Sequence, residues 1–122
     1  MSDSLERPQL AQARVSVEDG VVVVTLTGEV DLVNAEEVRA ALQARLDARP
    51  AGLVVDLAVE FLGSPGLAVL VEIDRDAARQ EVPFGVVAST RAAALPLVLT
   101  GLDDALRVFG SAPEAVRSLR TG

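Results

Sequence analysis

The stretch Leu53-Val54-Val55-Asp56-Leu57 is apolar at nearly every position, so its alternating side chains need cover on both sides. A strand of that kind belongs in the middle of a parallel sheet, with other layers packed above and below it. The segments on either side have helical rather than strand periodicity. Between Asn34 and Ala48, the residues Ala35, Val38, Leu42 and Leu46 fall on one stripe, with Glu36, Arg39, Gln43 and Asp47 elsewhere on the wheel. From Leu67 to about Gln80, the residues Leu67, Leu70, Ile73 and Ala77 form a second stripe. Strand runs alternating with amphipathic helices imply βαβ units and an α/β fold.

The remaining segments extend the pattern. Arg14-Val15-Ser16-Val17-Glu18 alternates, Asp19-Gly20 suits a tight turn with positive φ, and Val21 to Thr27 is a second β-branched run. Together they predict an antiparallel hairpin. Short strands are expected at 84–88 and 106–109, a helix from Ser89 or Thr90 through Leu99 despite Pro96, and a last helix from Ser111 to about Leu119. Asn34 with Glu37, and Ser111 with Glu114, have capping-box spacing, while Ser64-Pro65 reads as an N-cap followed by a first helical residue. The expectation is a mixed, mostly parallel five-stranded sheet with an N-terminal antiparallel hairpin and interleaved helices. Right-handed crossovers would place those helices on one face. Val38, Leu42, Leu46, Val54, Leu70 and Val86 are the expected core. At 122 residues the chain is one domain, read as residues 14–119 after a frayed tail at 1–13.

Composition narrows the chemistry. Ala, Val and Leu number 19, 20 and 17 against three Phe and no Trp or Tyr, so the core is aliphatic and base stacking has no platform. The chain has no Cys, His or Lys, which removes disulfides, thiolate and imidazole catalysis, Cys/His zinc sites, Schiff bases and the lysine of a phosphate-binding loop. No cofactor, metal or enzymatic activity is expected. A net charge of −7 repels nucleic acid and anionic lipid. The longest uncharged stretches fall well short of the ~20 residues a membrane span requires, and the start MSDSLERPQL lacks the apolar core of a signal peptide. A cytoplasmic protein is therefore expected, without direct nucleic-acid or membrane contact.

Ser64 has no His or Lys to accept its proton, so it is not an attacking nucleophile. The pairs Glu36-Glu37 and Asp103-Asp104 read as solvated charge. Ser64 remains as a serine in the glycine-flanked loop Gly63-Ser64-Pro65-Gly66 at a helix start. It can serve as a cap, and it can also accept a phosphate, because backbone N–H groups and the helix dipole accommodate a dianion there.

The ordered motifs GEVDLVNAEEVR (28–39), LVVDL (53–57), FLGSPGLAVL (61–70) and TGLDDALRVFGSAPEAV (100–116) resemble the STAS domain of bacterial anti-sigma factor antagonists over nearly the whole chain. The resemblance implies that the chain binds an anti-sigma factor with serine kinase activity and so frees a sigma factor. It also implies that Ser64 is the phosphoacceptor, and that Asp31, Asn34, Gly63, Gly66 and Leu67 form the contact surface. A monomer or weak homodimer is expected. A scaffold subunit of a stress-signalling complex, or an accessory subunit of a membrane transporter, is the alternative role the same domain would allow. The family usually reads Asp-Ser-Ser/Thr-Gly where this chain has Gly63-Ser64-Pro65-Gly66, and the stretch from Asp56 to Phe61 is one residue shorter than usual. These departures imply slower phosphorylation of Ser64 or none, the latter leaving an antagonist that is permanently active. They also suggest that Gly63→Asp with Pro65→Ser would speed the phosphorylation.

Overall fold

The computed structural model describes residues 11–120. Strands β1 (Gln12–Glu18), β2 (Val21–Val30), β3 (Gly52–Leu62), β4 (Phe84–Val87) and β5 (Val108–Phe109) form one sheet in the order β1-β2-β3-β4-β5. β1 runs antiparallel to β2, and every other neighbouring pair is parallel. Helices α1 (Ala35–Asp47) and α2 (Ser64–Gln80) make the first two crossovers. The third contains α3 (Arg91–Leu99) and the short α4 (Leu102–Ala105), and α5 (Ala112–Arg120) closes the described chain. This is the α/β class and sheet expected from the periodicities. Asp19 and Gly20 both take positive φ, 55° and 82°, as the two-residue turn between β1 and β2 requires.

Four expectations need correction. Ala11 packs against the core and β1 begins at Gln12, so residues 11–13 are not a frayed tail; residues 1–10 lie outside the described residues. β2 and β3 overrun their predicted ends, to Val30 and Leu62. The overrun passes through a register shift where Gly28 pairs with Val59 and Glu29 with Phe61, leaving Glu60 as an extra residue. Gly28 takes φ 88° there. Such a bulge breaks the two-residue alternation that sequence reading depends on. β5 covers only Val108–Phe109, because Leu102–Ala105 winds into α4 after Gly101 at φ 76°. Finally, the helices do not all lie on one face.

Most of the core lies between the sheet and α1, α2 and α3, and includes Leu42, Leu46, Leu53, Val55, Leu57, Leu70, Ile73, Val86 and Leu97. A second cluster on the opposite face joins Val21, Val23, Val54 and Val87 to Ala115, Val116 and Leu119 of α5. The handedness rule governs connections between parallel strands, and no described strand follows α5, so it is free to cover the other face. All six predicted core residues are buried.

In the sheet, Asp56 pairs with Thr25 of β2 on one side and Val87 of β4 on the other. One of its carboxylate oxygens is buried without a hydrogen-bond partner among the described residues, and desolvation raises its pKa above the usual carboxylate value. Its protonated form is favoured in the native state, so its contribution to stability falls as pH rises through that raised pKa.

Candidate partner-binding site

The carboxyl ends of β2 and β3 bring the predicted residues together. Past Val30 the chain turns through Asp31, Leu32 and Val33 before entering α1, and past Leu62 it turns at Gly63 into α2. The two turns are tied by Gly63 N–H donating to Val30 O at 2.9 Å. α2 opens at Ser64 with Gly63 as its N-cap, in extended backbone (φ −86°, ψ 172°), and the Gly63 carbonyl accepts from Gly66 N and Leu67 N. Ser64 is thus the first helical residue rather than the cap, and Pro65 the second. The Ser64 side chain is exposed and has no hydrogen bond among the described residues.

Asn34 does not form the capping box expected with Glu37. Its side chain turns back into the loop, where Oδ1 accepts from Asp31 N at 3.0 Å and Nδ2 donates to Glu29 O at 2.8 Å. It is 4% exposed. A buried amide with both ends satisfied fixes the turn that carries Asp31. Leu67 is likewise buried, within the core against the sheet. At Gly66 an added Cβ would come within 2.7 Å of Leu62 Cδ1 and 2.8 Å of Val30 Cγ1, so only glycine lets α2 approach the strand ends this closely. The predicted site therefore divides into two parts. Asp31, Gly63 and Ser64 are accessible, whereas Asn34, Gly66 and Leu67 form the buried base that holds them.

Asp31 leans over Gly63. A Cβ added at Gly63 would lie 2.7 Å from Asp31 Oδ1 and 3.1 Å from Phe61 Cε2. A side chain at this position therefore requires the exposed Asp31 carboxylate to move aside. A carboxylate introduced by Gly63→Asp would stand close to that of Asp31, and the like charges would repel.

Sequence reading missed the apolar rim of the site. Leu32 and Val33 are 78% and 81% exposed. Phe61 lies against Gly63 on one side, and on the other it lines a groove of about 370 Å³ with Glu60, Leu62, Arg91, Ala92, Leu95 and Pro96. Leu95 and Leu99 extend the exposed apolar surface along α3. Thr90 positions that helix by donating to Val59 O at 3.2 Å and accepting from Ala93 N at 3.2 Å. The available signal was apolar residues lying off both helical stripes, such as Leu32-Val33 and Leu99. Exposed clusters of this kind mark interaction surfaces more often than single exposed leucines do. Among the described residues no group of three or more Asp or Glu side chains could hold a metal, and no helix is long and apolar enough to cross a membrane.

The pattern of the STAS domain family matches residues 12–115. This chain belongs to the STAS domain family of anti-sigma factor antagonists. It is 36% identical over 119 residues to the anti-sigma-F factor antagonist RsfB of Mycobacterium tuberculosis, covering 97% of each chain. An anti-sigma factor antagonist from Mycobacterium paratuberculosis superposes with a TM-score of 0.86 at 38% identity, over 93% of this chain and 97% of that one. The Bacillus cell fate determinant SpoIIAA in its phosphorylated form shares the fold, with a TM-score of 0.66 at 18% identity over 91% and 100% of the two chains.

Proposed function

We propose that this STAS protein is a cytoplasmic, non-enzymatic antagonist that binds an anti-sigma factor with serine kinase activity and releases a sigma factor, with phosphorylation of Ser64 ending the interaction. The observation that carries this reading is the exposed Ser64 hydroxyl at the start of α2, without a hydrogen bond among the described residues, next to Gly63, against which Asp31 and Phe61 lie. Leu32, Val33, Phe61 and Leu95 supply apolar area, while Asp31 and Ser64 supply polar contacts. Asn34, Gly66 and Leu67 preserve the shape. The likeness to RsfB along almost its full length supports the same partner class.

The switch follows from charge. Phosphate adds about −1.5 to −2 of charge at neutral pH. On Ser64 it would stand beside Asp31 at the centre of the surface. Burying that charge against a partner without a matching cation costs several kcal/mol, and each ~1.4 kcal/mol weakens binding about tenfold. Pro65 holds φ near the helical value and stiffens the turn that must enter a kinase site, so transfer should be slower than in relatives with the usual motif.

Incubation with the cognate anti-sigma factor and ATP, followed by mass spectrometry, tests the acceptor. One phosphate is expected on Ser64 and none on the Ser64→Ala chain. An unmodified wild-type chain in the presence of a demonstrably active kinase would remove Ser64 from the mechanism.

A further inference from the structure

The other edge of the sheet has a pattern that this role does not use. β1 is an edge strand whose seven residues are all exposed, and its outer side has no partner among the described residues. It contains no proline or bulge to blunt the edge, and its only charges are Arg14 and Glu18. Pairing with β2 places Arg14, Ser16 and Glu18 on one face, opposite Thr25, Val23 and Val21. Val15 and Val17 lie on the other face, opposite Val24 and Val22, and are 36% and 63% exposed. Neither Arg14 nor Glu18 has an ion-pair partner among the described residues.

Laid antiparallel against itself, Arg14-Val15-Ser16-Val17-Glu18 matches at every position. Arg14 meets Glu18 of the second copy, Val15 meets Val17, and Ser16 meets Ser16 on the two-fold axis. A one-residue slip breaks this match: in one direction Arg14 would meet Val17 and Glu18 would meet Ala13, and in the other Glu18 would meet Val15 and Arg14 would meet Asp19 of the turn. The match continues inward. Val22 and Val24 pair with the fully buried Leu53 and Val55. The joined edge would therefore form unbroken apolar rows, Leu53-Val22-Val17 in one copy running into Val15-Val24-Val55 of the other.

We propose that β1 is a homodimerisation edge, pairing antiparallel with β1 of a second copy about a two-fold axis at Ser16 to give one continuous sheet. The strand is short and each copy carries a net charge of −7, so the dimer is weak and forms at high protein concentration. Opposite charges directly across an antiparallel pair stabilise it and like charges oppose it. The two-fold axis makes every charge contact occur twice.

Sedimentation equilibrium of the full chain over rising concentration tests this, with a dimer expected by about 1 mM. Arg14→Glu alone and Glu18→Arg alone should each weaken dimerisation at least about tenfold, because each sets like charges face to face at both symmetry-related contacts. The double variant Arg14→Glu/Glu18→Arg has the wild-type composition and should dimerise again. An equimolar mixture of the two single variants should form the mixed dimer in preference to either homodimer. A chain that remains monomeric throughout overturns the proposal. So does a dimer indifferent to the single reversals, or single reversals whose effect neither the double variant nor the mixture restores.

Discussion

Replacing Ser64 by Arg is expected to abolish binding to the cognate anti-sigma factor, with affinity falling at least about a hundredfold, while the thermal midpoint stays close to wild type. Asp31→Arg should do the same. Both positions are exposed, and neither side chain contributes a hydrogen bond to the fold among the described residues; the Asp31 backbone, which Asn34 holds, is untouched by the substitution. Stability is therefore preserved. Binding is lost because a long cation at the centre of an apolar rim must be desolvated without a designed partner. Titration calorimetry with thermal melts of the same samples checks both halves. Undiminished binding by both variants would place the interface elsewhere.

Replacing Leu42 by Ala is expected to lower unfolding stability by roughly 2–5 kcal/mol, the range for removing a buried leucine side chain. Leu42 is fully buried in the layer between α1 and the sheet, part of the same cluster as Leu46, Leu53, Leu70 and Ile73. Its neighbours belong to different strands and helices, so the space left by the lost side chain closes only in part. Urea unfolding should show a lower midpoint at an unchanged slope. A loss below about 0.5 kcal/mol, typical of surface positions, would contradict the packing described.

What could be read in the sequence was what depends on local period. The stripes Ala35-Val38-Leu42-Leu46 and Leu67-Leu70-Ile73-Ala77 gave α1 and α2 the correct buried faces, and Asp19-Gly20 marked the hairpin. What could not be read depends on tertiary neighbours. Asn34 has the spacing of a cap, yet its amide finds better partners at Asp31 N and Glu29 O, which become accessible only when β2 overruns to Val30. Glu60 interrupts the alternation of β3, so the continuation to Leu62 is visible only through its pairing with β2. Ser64 was located correctly at the helix start, but the N-cap position falls to Gly63, in extended backbone, and the Ser64 hydroxyl makes no hydrogen bond among the described residues. The close approach of the Asp31 side chain to Gly63 joins two turns distant in sequence, and no local sequence pattern encodes it.

The central claim is that phosphate on Ser64 decides whether the surface at the ends of β2 and β3 binds its partner. The direct measurement is calorimetric titration of the cognate anti-sigma factor with the same preparation before and after stoichiometric phosphorylation of Ser64. The account predicts saturable binding by the unmodified chain and affinity at least about tenfold weaker for the phosphorylated one. Equal affinities for the two forms would contradict it, as would binding by neither.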